Sequence, residues 1–204
     1  MLFLSILFSI TPAKAAFSSF VIPGSGDLLI GDKNRGICFM VAEAAIWLTY
    51  FDSKAEEDKT DRISRNFAAY YASANIGNRD EDYFNAMEDF LTNIDYNETV
   101  KEKARRLYPD TLDAEVMHER IELRKQYIEA NSYTGSDAWK WSSVELENNY
   151  RDMRRNKRKL GERATNMIGL AVANRMVSLF TTYFFGRRIF LEIKENEIEM
   201  GFNF

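Results

Sequence analysis

Two apolar stretches each hold one charged residue, and those two charges are the first candidates for chemistry. Residues 36–51 contain Glu43 and residues 167–185 contain Arg175. An isolated charge in an apolar environment is costly, whereas an opposite charge facing it lowers the cost. The pair Glu43–Arg175 is therefore expected to be a structural ion pair between antiparallel helices. The register that opposes them also sets Asp61 opposite Lys157. It thereby brings an acidic run (Asp52, Glu56, Glu57, Asp58, Asp61) toward a basic one (Arg154, Arg155, Lys157, Arg158, Lys159, Arg163). The central pair is expected to be the buried one and the flanking pairs exposed.

Other chemistry-bearing residues point to no reaction. His118 is the only histidine, so no multi-histidine metal site exists and a serine triad would have to use this one residue. Asp80, Glu81 and Asp82 lack the spacing of a calcium loop, and acidic residues suit the first turn of a helix. The segment from Gly26 through Gly31, Asp32 and Lys33 fails the phosphate-loop pattern, since Asp32 intrudes and Asn34 follows the lysine. Cys38, the only cysteine, cannot form an internal disulfide and reads as a small buried hydrophobe. No catalytic, cofactor-binding or metal-binding residues are assigned.

The elements that must position these residues are mainly helical. Residues 16–36 are punctuated by Pro23, Gly24, Gly26, Gly31 and Gly36, a series of tight turns. From near Lys33 no glycine after Gly36 and no proline interrupts the chain until Gly77, which allows a helix of about forty residues, roughly 60 Å long. A lobe of shorter helices over 78–142 follows. Its helices are expected over 80–92, opened by Asn78 with Glu81, over 97–107, and from a cap at Asp110 or Thr111 to about Ser132. Asp137-Ala-Trp-Lys-Trp reads as a compact aromatic turn. The aromatics Tyr70, Tyr71, Tyr83, Phe84, Phe90, Trp139, Trp141 and Tyr150 are expected to build the core beneath those helices. Ser142 with Glu145 opens a last long helix reaching Phe185, and the alternating tail over 187–204 reads as a β-hairpin.

The first fifteen residues place an apolar block before Pro12 and the small-residue site Ala13-Lys14-Ala15, the pattern of a signal peptide cut after Ala15. The remaining 16–204 read as one membrane-associated domain. The apolar stretches are somewhat short for full spans, yet Tyr50, Phe51 and Tyr183, Phe184, Phe185 stand at their ends as interfacial aromatics do. A net charge of −4 argues against a nucleic-acid partner. Basic residues at both ends of the apolar pair leave the membrane orientation open.

The turn Ile22-Pro23-Gly24-Ser25-Gly26, with Gly31 and Gly36 leading into an apolar helix, resembles an uncharacterised family of bacterial envelope proteins. More distantly it is similar to the small two-transmembrane-helix domain. Tyr70-Tyr71 before Ile76-Gly77, the Asp137-Ala-Trp-Lys-Trp turn, Tyr150-Arg-Asp-Met-Arg154 and Ala171-Val-Ala-Asn174-Arg175 with Ser178 resemble the same family. Asp27 stands where that family often has glutamine, and Arg175 where histidine is common. The resemblance implies an envelope or membrane protein and supplies no catalytic residues.

The expected molecule is thus mainly α: a long antiparallel helix pair, a helical lobe and a C-terminal β-hairpin. The expected role is non-enzymatic, a membrane-anchored scaffold or partner-binding subunit of the bacterial cell envelope, with membrane lipid and an envelope protein as partners. The alternative is a lipid or small-molecule binding protein, or an enzyme, using an aromatic pocket in the lobe with His118 or acidic residues.

Overall fold

The structure, a computed structural model, describes residues 11–77 and 79–201, with side chains described as far as Glu192. Seven α-helices run through these residues: α1 (Pro12–Val21), α2 (Ser25–Leu29), α3 (Lys33–Ala72), α4 (Glu81–Asp89), α5 (Asn93–Leu107), α6 (Ala114–Asn131) and α7 (Val144–Gly201). A 3-10 turn, Gly135–Asp137, precedes the Trp139–Trp141 segment. The chain divides into two compact units, one of Met1–Ala55 with Leu160–Phe204, the other Glu56–Lys159.

No strand forms among the described residues, and only an isolated bridge joins Thr92 to Lys140. The β-hairpin expected over 187–204 is therefore incorrect: α7 continues to Gly201. The tail carries four glutamates with single Leu, Lys and Met residues, lacks a turn-forming dipeptide at its centre, and follows a helix already nucleated. Each further residue then adds a helical hydrogen bond without a new nucleation cost. Arg188 and Glu192, 3.6 Å apart at helical spacing, add side-chain support.

Helix α3 covers forty residues. It closes where Ser73 turns left-handed (φ 57°) and the Ala74 N–H returns to the Ala68 carbonyl at 3.2 Å. Asp80 caps α4 by accepting from the Tyr83 N–H at 3.1 Å, while the Asn78 cap lies outside the described residues. Thr92 caps α5 and Asp113 caps α6, in place of Asp110 or Thr111. Ser143, not Ser142, receives the Leu146 N–H at the start of α7.

The Glu56–Lys159 unit, the lobe, has an ordinary apolar core of Ala68, Ala72, Tyr83, Phe84, Met87, Trp139, Trp141 and Tyr150. Its aromatic turn closes α4. The Trp139 and Trp141 indole N–H groups donate to the Phe90 and Met87 carbonyls, each at 3.0 Å, and Tyr150 donates to Phe84 O at 3.2 Å. Carbonyls at a helix end have no intrahelical donor, so the two tryptophans supply what the backbone lacks. Tyr70 and Tyr71, expected in this core, are 81% and 42% exposed instead.

The other unit is built the opposite way. Apart from Pro23, its described buried residues are small or polar, among them Ala15, Ala16, Ser19, Asp27, Ser53, Ala164, Ala171, Ser178 and Thr182. Its large apolar side chains face outward, among them Phe17, Val41, Leu48, Phe51, Val172 and Phe184. Among the described residues one helix, Val144–Glu192, is long and apolar enough to cross a membrane, and only 17% of its apolar window is buried. The first apolar stretch, in α3, does not meet that test. Sixteen residues between charged flanks are too few.

Candidate functional site

The glycine turn joins α1 to α3 inside the small-residue core. Gly24 precedes α2 with φ 84°, a conformation that costs a residue bearing Cβ. Its backbone touches that of Gly36. A Cβ on Gly24 would overlap the Gly36 carbonyl, and one on Gly36 would stand 2.7 Å from the Gly24 oxygen. A Cβ on Gly26 would strike the Ala15 carbonyl. Gly31 serves the turn alone, with φ 93° and open space around it, and Pro23 is buried beside Gly24. The Gly24 N–H donates to Ser178 Oγ at 2.8 Å and the Gly26 N–H to Ser19 Oγ at 2.9 Å. Ser19 also shares a 2.8 Å hydrogen bond with Thr182. The motif thus places glycine where backbones touch, and hydroxyls where the turn exposes amides.

Asp27 lies wholly buried beneath this turn. Its Oδ1 accepts from Arg35 Nε at 2.8 Å, and the Arg35 guanidinium rests on the Phe185 ring, 4.1 Å from its centroid. Arg35 Nη2 stands 2.7 Å from the same oxygen, too poorly aligned for a hydrogen bond. Nη2 and Asp27 Oδ2 are therefore buried without hydrogen-bond partners. Asp32 caps the start of α3, accepting from the Arg35 N–H at 3.1 Å.

Glu43 and Arg175 meet. Glu43 Oε1 accepts from Arg175 Nη2 at 2.9 Å, Arg175 Nε at 3.1 Å and the Trp47 indole at 2.9 Å, while Oε2 accepts from Asn174 at 3.0 Å. Trp47 and Asn174 were not assigned to this site from sequence. Trp47 stands one turn from Glu43, a spacing that places both on one face, whereas Asn174 adjoins Arg175, a spacing that does not. With side chains 14% and 37% exposed, the pair is less enclosed than expected. Contact predicts coupling. In a cycle of Glu43→Gln and Arg175→Met, folding stability is expected to show an interaction of about 0.5–3 kcal/mol. Additive losses would mean that the contact contributes nothing.

The lobe encloses a charge of its own. The Arg154 side chain is 2% exposed and donates to Glu88 at 3.1 Å, Asp61 at 3.2 Å, Asn85 at 3.0 Å and Glu81. Arg158 grips Glu88 with two bonds at 2.7 and 2.8 Å, and Lys157 lies 2.8 Å from Asp61. Asp61 and Lys157, expected to be exposed, have side chains only 20% and 16% accessible. The reason is local: α4 brings Glu81, Asn85 and Glu88 at helical spacing over this group, and the sequence reading did not pair α4 with the basic run.

Burial opposes ionisation of Asp61 and Glu81. Hydrogen bonds and charges from Lys157, with Arg65 on Asp61 and Arg154 on Glu81, outweigh it and hold both carboxyls below the ordinary range. A carboxyl depressed in the folded state contributes stability that is complete above its unfolded pKa, about 4, and is lost as pH falls through the folded value. Trp139 and Trp141 fluorescence is therefore expected to report a weakening lobe below about pH 4 that the double variant Asp61→Asn, Glu81→Gln attenuates. An unchanged acid transition in that variant would assign the loss to other groups.

The remaining candidates do not converge. His118 is exposed on α6, and no group of three or more potential ligands stands together among the described residues. Asp80 is a helix cap and Asp82 is exposed. Cys38 is exposed, which corrects its expected burial: it shares the outward face of the small-residue unit. In the lobe, the rings of Tyr83, Tyr96, Tyr133 and Trp139 pack edge-on or tilted with centroids 5.0–5.9 Å apart, and burial lifts the Tyr133 hydroxyl to about 12. These rings act as core filling. No protein-family model, curated protein or solved structure matches the chain.

Proposed function

We propose that this chain is a non-enzymatic membrane protein of the bacterial cell envelope, with the small-residue unit embedded in lipid and the lobe serving as a scaffold for a partner protein. One observation carries the reading: the reversed burial of the first unit. In water, large apolar side chains go inside and charges remain outside. Here Phe17, Leu48, Phe51, Val172 and Phe184 face out while Asp27, Ser19, Ser178 and Thr182 are enclosed. That arrangement suits hydrocarbon, where backbone and polar groups must be satisfied internally and small residues let helices approach closely. A water-soluble bundle would bury its most apolar helix window, and 17% burial speaks against it. The resemblance of the glycine turn to envelope proteins supports the same assignment.

The titratable groups that converge in the lobe pair with one another in the Arg154 network, and its surface is assigned the binding role. Extraction of the expressed protein's membranes with alkaline carbonate tests the embedding. The chain is expected to stay in the pellet and to enter solution only with detergent. Release by carbonate alone would make it a soluble or peripheral protein.

A further inference from the structure

We infer that residues 12–30 form a re-entrant hairpin, entering and leaving the bilayer on the side where Lys33 lies, and that the Ala15–Ala16 bond is kept rather than cut. This rests on the membrane reading of the same unit. Both ends of the hairpin stand at one level of α7: a Cβ on Gly186 would lie 3.6 Å from Pro12 and 3.7 Å from Ile30. Its tip stands deeper, where Gly24 donates to Ser178. Eight residues of helix separate those levels, about 12 Å, against a hydrocarbon core of about 30 Å. The segment dips in and returns.

Irregular backbone persists at membrane depth only where protein satisfies its polar groups. The backbone amides of the turn are met by protein groups. Ile22 donates to Ser18 O at 2.9 Å, Ser25 to Ile22 O at 3.0 Å, Gly24 to the Ser178 hydroxyl and Gly26 to the Ser19 hydroxyl. The outward face of the hairpin is apolar, with Phe17, Phe20, Val21, Ile22, Leu28 and Leu29 all exposed. Ala15 and Ala16 lie in the middle of α1, 0% and 4% exposed, with the Ala15 carbonyl against Gly26. Cleavage there would remove the Thr11 cap, the Pro12 contact at Gly186 and the surface on which Gly26 rests. The residues read from sequence as a leader's end are, in this fold, part of the packed unit.

The test uses the full chain with Cys38→Ser and single cysteines at the exposed positions Lys14, Phe20 and Lys33. Sealed membrane vesicles are treated with a membrane-impermeant maleimide before and after opening, and the mass of the purified Cys38→Ser chain is measured. Lys14→Cys and Lys33→Cys are expected to label from the same side, Phe20→Cys only after detergent, and the mass to include Ala15. Opposite sidedness of Lys14→Cys and Lys33→Cys, labelling of Phe20→Cys in intact vesicles, or a chain beginning at Ala16 would each overturn the inference. Carbonate extraction separates the two failures. A chain that stays in the pellet but labels wrongly refutes the hairpin alone, whereas a released chain refutes the membrane reading with it.

Discussion

Replacing Arg154 with methionine is expected to cost the lobe about 3 kcal/mol, the lower part of the range for breaking a buried ion pair. The guanidinium is 2% exposed and joins Glu88, Asp61, Glu81 and Asn85, so its removal strips one shared partner from three carboxylates at once. The loss is moderated because Arg158 still holds Glu88, and Lys157 and Arg65 still hold Asp61 and Glu81. Urea unfolding followed by Trp139 and Trp141 fluorescence, in a Trp47→Phe background, measures it. Arg155→Ala is the control. That side chain is 57% exposed with one 3.6 Å contact to Asp152, and exposed pairs contribute about 0–1 kcal/mol. Equal losses from the two variants would show that the enclosed network contributes no more than a surface charge. Arg154→Met is also expected to exceed Arg175→Met, which reverses the ranking drawn from sequence.

Gly24→Ala is expected to damage the other unit comparably, by about 2–5 kcal/mol. The left-handed conformation costs an L-residue about 1–2 kcal/mol, and overpacking typically adds about 1–3 kcal/mol. Here the added methyl meets the Gly36 backbone, which cannot rotate away. Protease resistance and yield of the membrane-extracted protein report the loss. Two alanine variants separate its causes. Gly31→Ala shares the positive φ but has open space, so it should show the conformational cost alone. Gly169→Ala lies within α7 with nothing near, and is expected to be neutral or to stabilise by up to about 1 kcal/mol. A Gly24→Ala effect no larger than that of Gly31→Ala would mean that the Gly24–Gly36 contact relaxes freely.

The long helices, the opposition of Glu43 to Arg175 and that of Asp61 to Lys157 were legible in the sequence. Helical periodicity and charge placement are local signals, and one antiparallel register satisfies both pairs. The glycine positions were legible as turns, but their purpose was not. Contact between Gly24 and Gly36 is made across the turn, and Ser178 and Thr182 arrive from α7 more than 150 residues away. The tail misled because apolar–polar alternation over a few residues fits a strand as well as a helix, and propagation from α7 decided for the helix. Tertiary structure alone determined which charges are enclosed. Arg154 looks like any member of its basic run until α4 lays Glu81, Asn85 and Glu88 over it. It also revealed the reversed burial, since sequence shows how apolar a helix is but not which side chains its neighbours cover. Burial is a property of the assembled surface, and it separates a unit suited to lipid from one suited to water.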